Sequence, residues 1–242
     1  MIESYFDDCV RGMKKYPDQY FDLAIPDPPY GIKESAHRAR SRTKLAKTRC
    51  YGTAVWDLEV PGVDYWDELF RVSKHQVVWG GNYFLEYLGP TRCMLIWRKL
   101  TTGNFADCEL AWTSFDTSVR EFTFMWNGML QGRSMTKGHL AQNRKQYNEE
   151  RIHPTQKPVE LYKWVLKNYA KPGDKILDTH SGSLSLGIAC YRMGFDLVAF
   201  ENNRQHYDDA IKRLNNEYLK TELHLECEIT KTNDQYIKQK LF

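Results

Sequence analysis

The sequence predicts an α/β fold, a mostly parallel sheet covered by helices on both faces. Three observations lead there. Over residues 159–219, short apolar runs of strand length alternate with stretches whose apolar residues recur at helical intervals, the pattern of linked β-α-β units. Two of the runs end in an acid, Asp178 and Glu201, and the first opens through a turn of small residues into a helix. Open α/β sheets take nucleotide-like ligands at such carboxyl ends. The length of 242 residues, 42% of them hydrophobic, supplies one full core and not two, so residues 1–242 are expected to form a single domain.

Along the chain, Tyr20 to Ile25 is a short apolar run stopped by Pro26 and reads as a buried strand. Residues 33–55 show neither helical nor strand period. Lys33, Arg38, Arg40, Arg42, Lys44, Lys47 and Arg49 stand there against one acid, Glu34, so the stretch reads as a basic loop. Residues 63–73 space their apolar groups as a helix does. Gln76 to Trp79 reads as a strand stopped by Gly80-Gly81, and Cys93 to Arg98 as another. Glu109 to Trp112 and Arg120 to Met125 carry weaker strand patterns and are candidates for a hairpin. A second polar, basic stretch covers 127–152. Beyond it the pattern is clean: helix Val159 to Tyr169, strand Lys175 to Asp178, helix Leu184 to Met193, strand Leu197 to Phe200, helix Arg204 to Leu219. Residues 220–242 form a charged C-terminal extension.

Bulk properties exclude several classes. The longest strongly apolar run, Cys93 to Trp97, falls far short of the ~20 residues a membrane helix needs. The opening Met1-Ile2-Glu3-Ser4 lacks the pattern of a signal peptide, so a cytoplasmic location without membrane attachment is expected. Six cysteines lie scattered with no C-x-x-C pair, and neither a disulfide framework nor a metal site is expected. The net charge of +3 is too small to argue for nucleic acid by itself. The clustering of cations after Tyr30 says more.

Three segments carry chemistry. Asp27-Pro28-Pro29-Tyr30 follows directly on the first apolar strand. An exocyclic amine on a base is a poor nucleophile because its lone pair is delocalised into the ring. A carboxylate and a fixed backbone carbonyl can both accept its N–H bonds and stabilise the positive charge that develops on nitrogen. Asp27 and the carbonyl of Pro28 suit that pair, and two prolines fix the backbone between them. The ring of Tyr30 offers a face on which an extruded base can stack. The second segment, Asp178-Thr179-His180-Ser181-Gly182-Ser183, is the small-residue turn, and the next strand ends in Glu201-Asn202. A carboxylate there can hold both hydroxyls of a ribose. The third, His153-Pro154-Thr155-Gln156-Lys157-Pro158, precedes a helix, and Thr155 is the candidate for its cap.

With these segments in this order, the sequence resembles the amino-methylating DNA methyltransferases of the β arrangement, including those of phages and prophages. In that group the D-P-P-Y segment precedes the cofactor-binding segment. The resemblance spans residues 4–217, taking in Asp8-Cys9, Trp79 to Phe84 and Phe105 to Trp112. It implies a Rossmann-like, S-adenosyl-L-methionine-dependent fold with a seven-stranded sheet in circularly permuted motif order. It implies Asp27 and Tyr30 facing the target base, with Asp178, Gly182 and Glu201 holding the cofactor and Asp8 near the cofactor's adenine. His153, Thr155 and Lys157 would lie by its methionine end, with Cys9, Thr179, His180, Ser181, Ser183 and Asn202 beside the group. The partner it implies is double-stranded DNA, and it leaves a homodimer open. Asp at the first motif position favours adenine N6 over cytosine N4, where Ser is more frequent. The seven cations of the loop are then expected to contact DNA phosphates, and residues 127–152 to recognise the target sequence. One departure stands out. The family turn reads like G-x-G, and here Leu184 holds the second glycine position. Two alternatives stay open: cytosine-N4 methylation, and a catalytically silent DNA-binding relative with an eroded cofactor turn. If the turn is intact, the backbone at Leu184 is expected to be helical already, with its side chain turned from the ligand.

Overall fold

The computed structural model describes residues 1–32, 60–100, 106–127, 130–132, 148–153 and 155–220. Ten strands follow one another along it: β1 (Ile2–Phe6), β2 (Phe21–Ala24), β3 (Ser73–Trp79), β4 (Met94–Arg98), β5 (Cys108–Thr113), β6 (Arg120–Thr123), β7 (Met125–Asn127), β8 (Leu130–Gly132), β9 (Lys175–Asp178) and β10 (Asp196–Glu201). All but β7 and β8 join one sheet in the order β1-β10-β9-β2-β3-β5-β4-β6. The helices are α1 (Cys9–Met13), α2 (Val63–Val72), α3 (Val159–Tyr169), α4 (Ser185–Met193) and α5 over residues 204–220.

The sheet is buried on both faces, and its sequence alternation sorts side chains between two cores. Leu23, Val77, Ile176 and Leu197 point to one, where α3, α4 and α5 pack. Their neighbours Ala24, Val78, Leu177 and Val198 point to the other, under α1 and α2. Strands β1, β10, β9, β2 and β3 are mutually parallel, so their carboxyl ends share one edge of the sheet. Asp7, Glu201, Asp178, Asp27 and Gly80 all lie at or just beyond those ends. Among the described residues, no helix is long and apolar enough to cross a membrane.

Four expectations are corrected. The sheet has eight strands rather than seven, because β6 adds to β4 in parallel. Glu109–Trp112 and Arg120–Met125 do not form a hairpin: β5 is flanked by β3 and β4, which leaves it no free edge. The second candidate strand also breaks at Phe124, so that β7 pairs with β8 instead. Thr155 does not cap α3. Pro158 occupies the cap position, and Glu149 Oε1, from outside the helix, accepts the Val159 N–H at 2.9 Å.

Two elements carried too little pattern to be read. Strand β1 is a half-exposed edge strand held through its register with β10, Ile2 opposite Leu197 to Phe6 opposite Glu201. Helix α1 is five residues long, shorter than two turns, so no helical period develops.

Candidate active site

The turn after β9 forms one side of the site through its backbone geometry. Gly182 has φ +47°, and its amide donates to Glu201 Oε2 at 2.9 Å while Asn203 N–H donates to Oε1 at 2.8 Å. Leu184, two residues on, has φ 54° and ψ 34°, a left-handed conformation, and its carbonyl accepts the first helical bond from Ile188. The expectation that Leu184 is already helical is therefore corrected. Both glycine positions of the motif keep positive φ, although only one holds glycine. For a residue with a β-carbon this conformation costs about 1–2 kcal/mol. The Leu184 side chain is fully buried in the core beneath α4, and that burial, worth roughly 1.5–3 kcal/mol, offsets the strain. Its side chain does point away from the cleft, as expected.

Asp27 lies beyond β2, where Ile25 N–H still bonds to Leu177 and Trp79 N–H to Pro26, so the chain enters the tetrapeptide as a continued strand. Asp27 Oδ1 accepts from the Tyr30 hydroxyl at 2.6 Å, and Oδ2 from Lys157 Nζ at 2.5 Å. Lys157, buried to 4% exposure, also donates to the Tyr30 hydroxyl at 3.1 Å and pairs with Glu109 at 3.2 Å. Glu109 is paired in turn with Lys99. Two carboxylates and two ammonium groups thus form one neutral cluster. Desolvation would lower the Lys157 pKa, but Asp27 and Glu109 outweigh it and hold the group above its usual range. Such a buried cation persists only because it is paired. Tyr30 stacks on Tyr83, centroids 4.9 Å apart and planes 15° apart. A β-carbon on Gly80, at φ +69°, would stand 2.2 Å from that ring, which requires glycine there.

A cleft at the carboxyl edge of the sheet is lined by Asp27, Pro29, His153, Thr155, Lys157, His180, Ser181, Gly182, Ser183, Glu201 and Asn202. These residues come from four separate segments, and all were expected from sequence. Tyr30 joins through its bonds to Asp27 and Lys157. Asp178 lies behind the turn, buried, with Oδ1 accepting the His180 N–H at 3.2 Å. Burial raises its pKa to about 8, with Asp27 and Glu201 adding to the rise. Thr179 also sits behind, bonded to Tyr65 and His180 at 2.8 Å each. His180 Nε2 lies 4.0 Å from Cys9 Sγ. Burial lowers the His180 pKa to about 4 and raises that of Cys9 to about 12. Asp8 is exposed and caps α1, accepting the Arg11 N–H at 2.9 Å.

Four further cleft residues escaped the sequence reading: Gln156, Tyr162, Ser185 and His206. Gln156 lies inside a motif already singled out. Nothing in the sequence marks His206, which reaches the cleft from α5 and places Nδ1 3.2 Å from His153 Nε2. Burial and that neighbour lower the His153 pKa to about 3. Thr155 Oγ1 bonds the other ring nitrogen of His153 at 3.2 Å. The seven loop cations Lys33, Arg38, Arg40, Arg42, Lys44, Lys47 and Arg49 lie outside the described residues, as do 128–129, 133–147 and 221–242. The described ends of the 127–152 stretch are tied together by Gln131, whose amide bonds the Glu149 backbone N–H and C=O at 2.9 Å each.

The acids Asp27, Asp178 and Glu201 and the Gly182 turn thus gather at one carboxyl edge of a doubly wound sheet, where such folds hold nucleotide-like ligands. Residues 53–212, more than half of the chain, match the DNA methylase family of N6 and N4 methyltransferases, and the chain belongs to that family. It is 24% identical over 246 aligned positions to the type II methyltransferase M.HinfI of Haemophilus influenzae, covering 86% of this chain and 66% of that protein. The chain thus spans just under two thirds of that relative's length. Among solved structures, the M1.HpyAVI–SAM complex superposes with a TM-score of 0.54 at 18% identity, covering 88% of this chain and all of that one. The cytosine-N4-specific PvuII DNA methyltransferase superposes with 0.54 at 13% identity, covering 87% and 85%. At these identities the two likenesses speak for the fold.

Proposed function

We propose that this chain transfers the methyl group of S-adenosyl-L-methionine to N6 of an adenine turned out of double-stranded DNA. The observation that carries the reading is the placement of Asp27: its carboxylate is fixed by Tyr30 and Lys157 in the same cleft as the Gly182 turn and Glu201. The cleft suits the cofactor. At Gly182 the nearest atom to a β-carbon would be His153 Nε2 at 3.8 Å, leaving a bare backbone cradle. The buried Ser181 hydroxyl has no protein partner among the described residues, and Glu201 stands where a carboxylate can meet a ribose.

When bound, the cofactor supplies an electrophilic methyl group on sulfonium sulfur. Asp27 and the Pro28 carbonyl accept the two N–H bonds of the target amine and localise its lone pair on nitrogen. Lys157 and Tyr30 hold the carboxylate so that no reorganisation is needed at the moment of transfer. His153, kept neutral by burial, adds no positive charge beside a cationic ligand. Adenine rather than cytosine rests on Asp at position 27. The positive φ at Leu184 supports an active enzyme over a silent relative with an eroded turn, since the backbone keeps the glycine-like shape there. The loop cations Lys33 to Arg49 are proposed to contact DNA phosphates, and 127–152 to read the sequence.

Modified-base sequencing of DNA from cells expressing the protein tests the reading. N6-methyladenine in one sequence context is expected, N4-methylcytosine would change the base, and unmodified DNA would overturn the proposal. Asp27→Ala should cost at least ~3 kcal/mol of transition-state stabilisation, a hundredfold or more in rate, read by transfer of tritiated methyl. It should also lower the melting temperature, because it strips a buried ammonium of one counter-ion.

A further inference from the structure

The bond from Lys157 to Asp27 does more than hold the carboxylate. We infer that the Lys157 ammonium donates a hydrogen bond to the ring nitrogen next to the target amine, N1 of adenine, and so selects the base. The inference rests on the proposed amino-methyl transfer and extends it to how the base is read.

The argument begins with the edge of the base. In adenine the amine and N1 are bonded to one ring carbon, so a donor and an acceptor stand side by side. Cytosine presents the same order through N4 and N3. Guanine and thymine present the reverse, a carbonyl acceptor beside a ring N–H donor. An enzyme that accepts the first pair and rejects the second needs an acceptor with a donor directly beside it. Asp27 Oδ2 and Lys157 Nζ are such a pair, 2.5 Å apart, and both line the cleft. Against guanine or thymine the same pair would set acceptor against acceptor and donor against donor, with both protein groups largely out of water. Unpaired buried polar groups are the strongest basis a site has for rejecting a substrate.

Lys157 can make this contact without losing its counter-ions. An ammonium has three donors. Here two face carboxylates, Asp27 and Glu109, and the third goes to the neutral hydroxyl of Tyr30 at 3.1 Å. That third bond can pass to an incoming ring nitrogen while the phenol keeps its own bond to Asp27 at 2.6 Å. The pairing with Glu109, itself paired with Lys99, gives the lysine tip a second carboxylate besides Asp27.

Single-turnover methylation tests this on duplexes carrying the sequence found by modified-base sequencing. The target adenine is left intact or replaced by 1-deazaadenine, in which C–H stands in place of N1; for a cytosine target, 3-deazacytosine is used. The proteins are wild type and the charge-conserving double variant Lys157→Met/Glu109→Gln. The effect of the deaza atom on the amine itself is common to both proteins and cancels in the ratio of rates. Wild type should prefer the intact base, and that preference should shrink by about tenfold or more in the variant. An equal preference in both overturns the inference. Should the double variant not fold, wild type is compared on duplexes carrying 1-deazaadenine or 3-deazaadenine at the target; a loss of rate no larger with the first than with the second overturns the inference. No transfer by wild type to the intact duplex would instead overturn the proposed function, and the inference with it.

Discussion

Tyr30 shows how a single hydroxyl redistributes the work of a site. From sequence, its ring is a stacking platform, and replacement by Phe should then matter little. In the structure the hydroxyl donates to Asp27 at 2.6 Å and accepts from Lys157 at 3.1 Å, closing a triangle around the carboxylate. Hydrogen bonds to a charged group contribute ~1.5–3 kcal/mol. Tyr30→Phe is therefore expected to lower kcat by about tenfold or more with little change in cofactor affinity. Methyl-transfer rates beside a calorimetric titration check this, and a Phe variant within about twofold of wild type would return Tyr30 to a role played by its ring alone. The Asp-Pro-Pro-Tyr segment was legible as a candidate because its four residues are contiguous and follow directly on an apolar strand. The Lys157 contact was not, since 130 positions separate it from Asp27 and only the fold brings them together.

At the scale of elements, legibility followed burial. Strands β9 and β10 are buried along most of their length and helix α3 along one face, and each could be read within a residue or so from its apolar pattern. Strand β1 and helix α1 could not, because one is a half-exposed edge and the other too short. The turn into α4 was misread for a local reason. Leu184 fits a helical apolar face with Ile188, yet its backbone is left-handed, and nothing in a side-chain pattern reports the sign of φ. The observed conformation sets two opposed effects on Leu184→Gly. Glycine relieves about 1–2 kcal/mol of strain, while an emptied buried leucine site costs roughly 2–5 kcal/mol. The packing loss wins, so the variant should melt at lower temperature. Its cofactor affinity per folded molecule should stay close to wild type, because the backbone already has the glycine shape. A calorimetric titration showing a tenfold gain or more, ~1.4 kcal/mol, would mean that the leucine does impair the pocket.

For the whole molecule, the buried titratable groups in and around the cleft make stability depend on pH. Burial depresses His153 to about 3 and His180 to about 4, against ~6.5 in an unfolded chain. Between about pH 4 and ~6.5 the unfolded chain therefore binds two more protons through these histidines, and stability falls as pH drops through that window. Asp178 acts in the opposite sense. Its pKa is raised by burial to about 8 from an unfolded value of ~3.9, so the folded form retains the proton, and stability falls as pH rises toward 8. Each uncompensated proton is worth ~1.4 kcal/mol per pH unit. Two histidines outweigh one aspartate below pH ~6.5, and above it only the aspartate still acts. His206, lowered by burial, adds to the first trend, while Glu149 and Glu201, raised by burial, add to the second. The melting temperature of the cofactor-free protein should accordingly peak at about pH 6.5 and decline on both sides. Asp178→Asn removes the acid raised to about 8, so its melting temperature should decline less between about pH 6.5 and 8 than that of wild type, while the acid limb remains. Scanning calorimetry across pH 5–8 checks both curves. A wild-type melting temperature that climbs steadily to about pH 8 would show that Asp178 is ionised in the folded protein, and that its burial is relieved by a counter-charge or solvent.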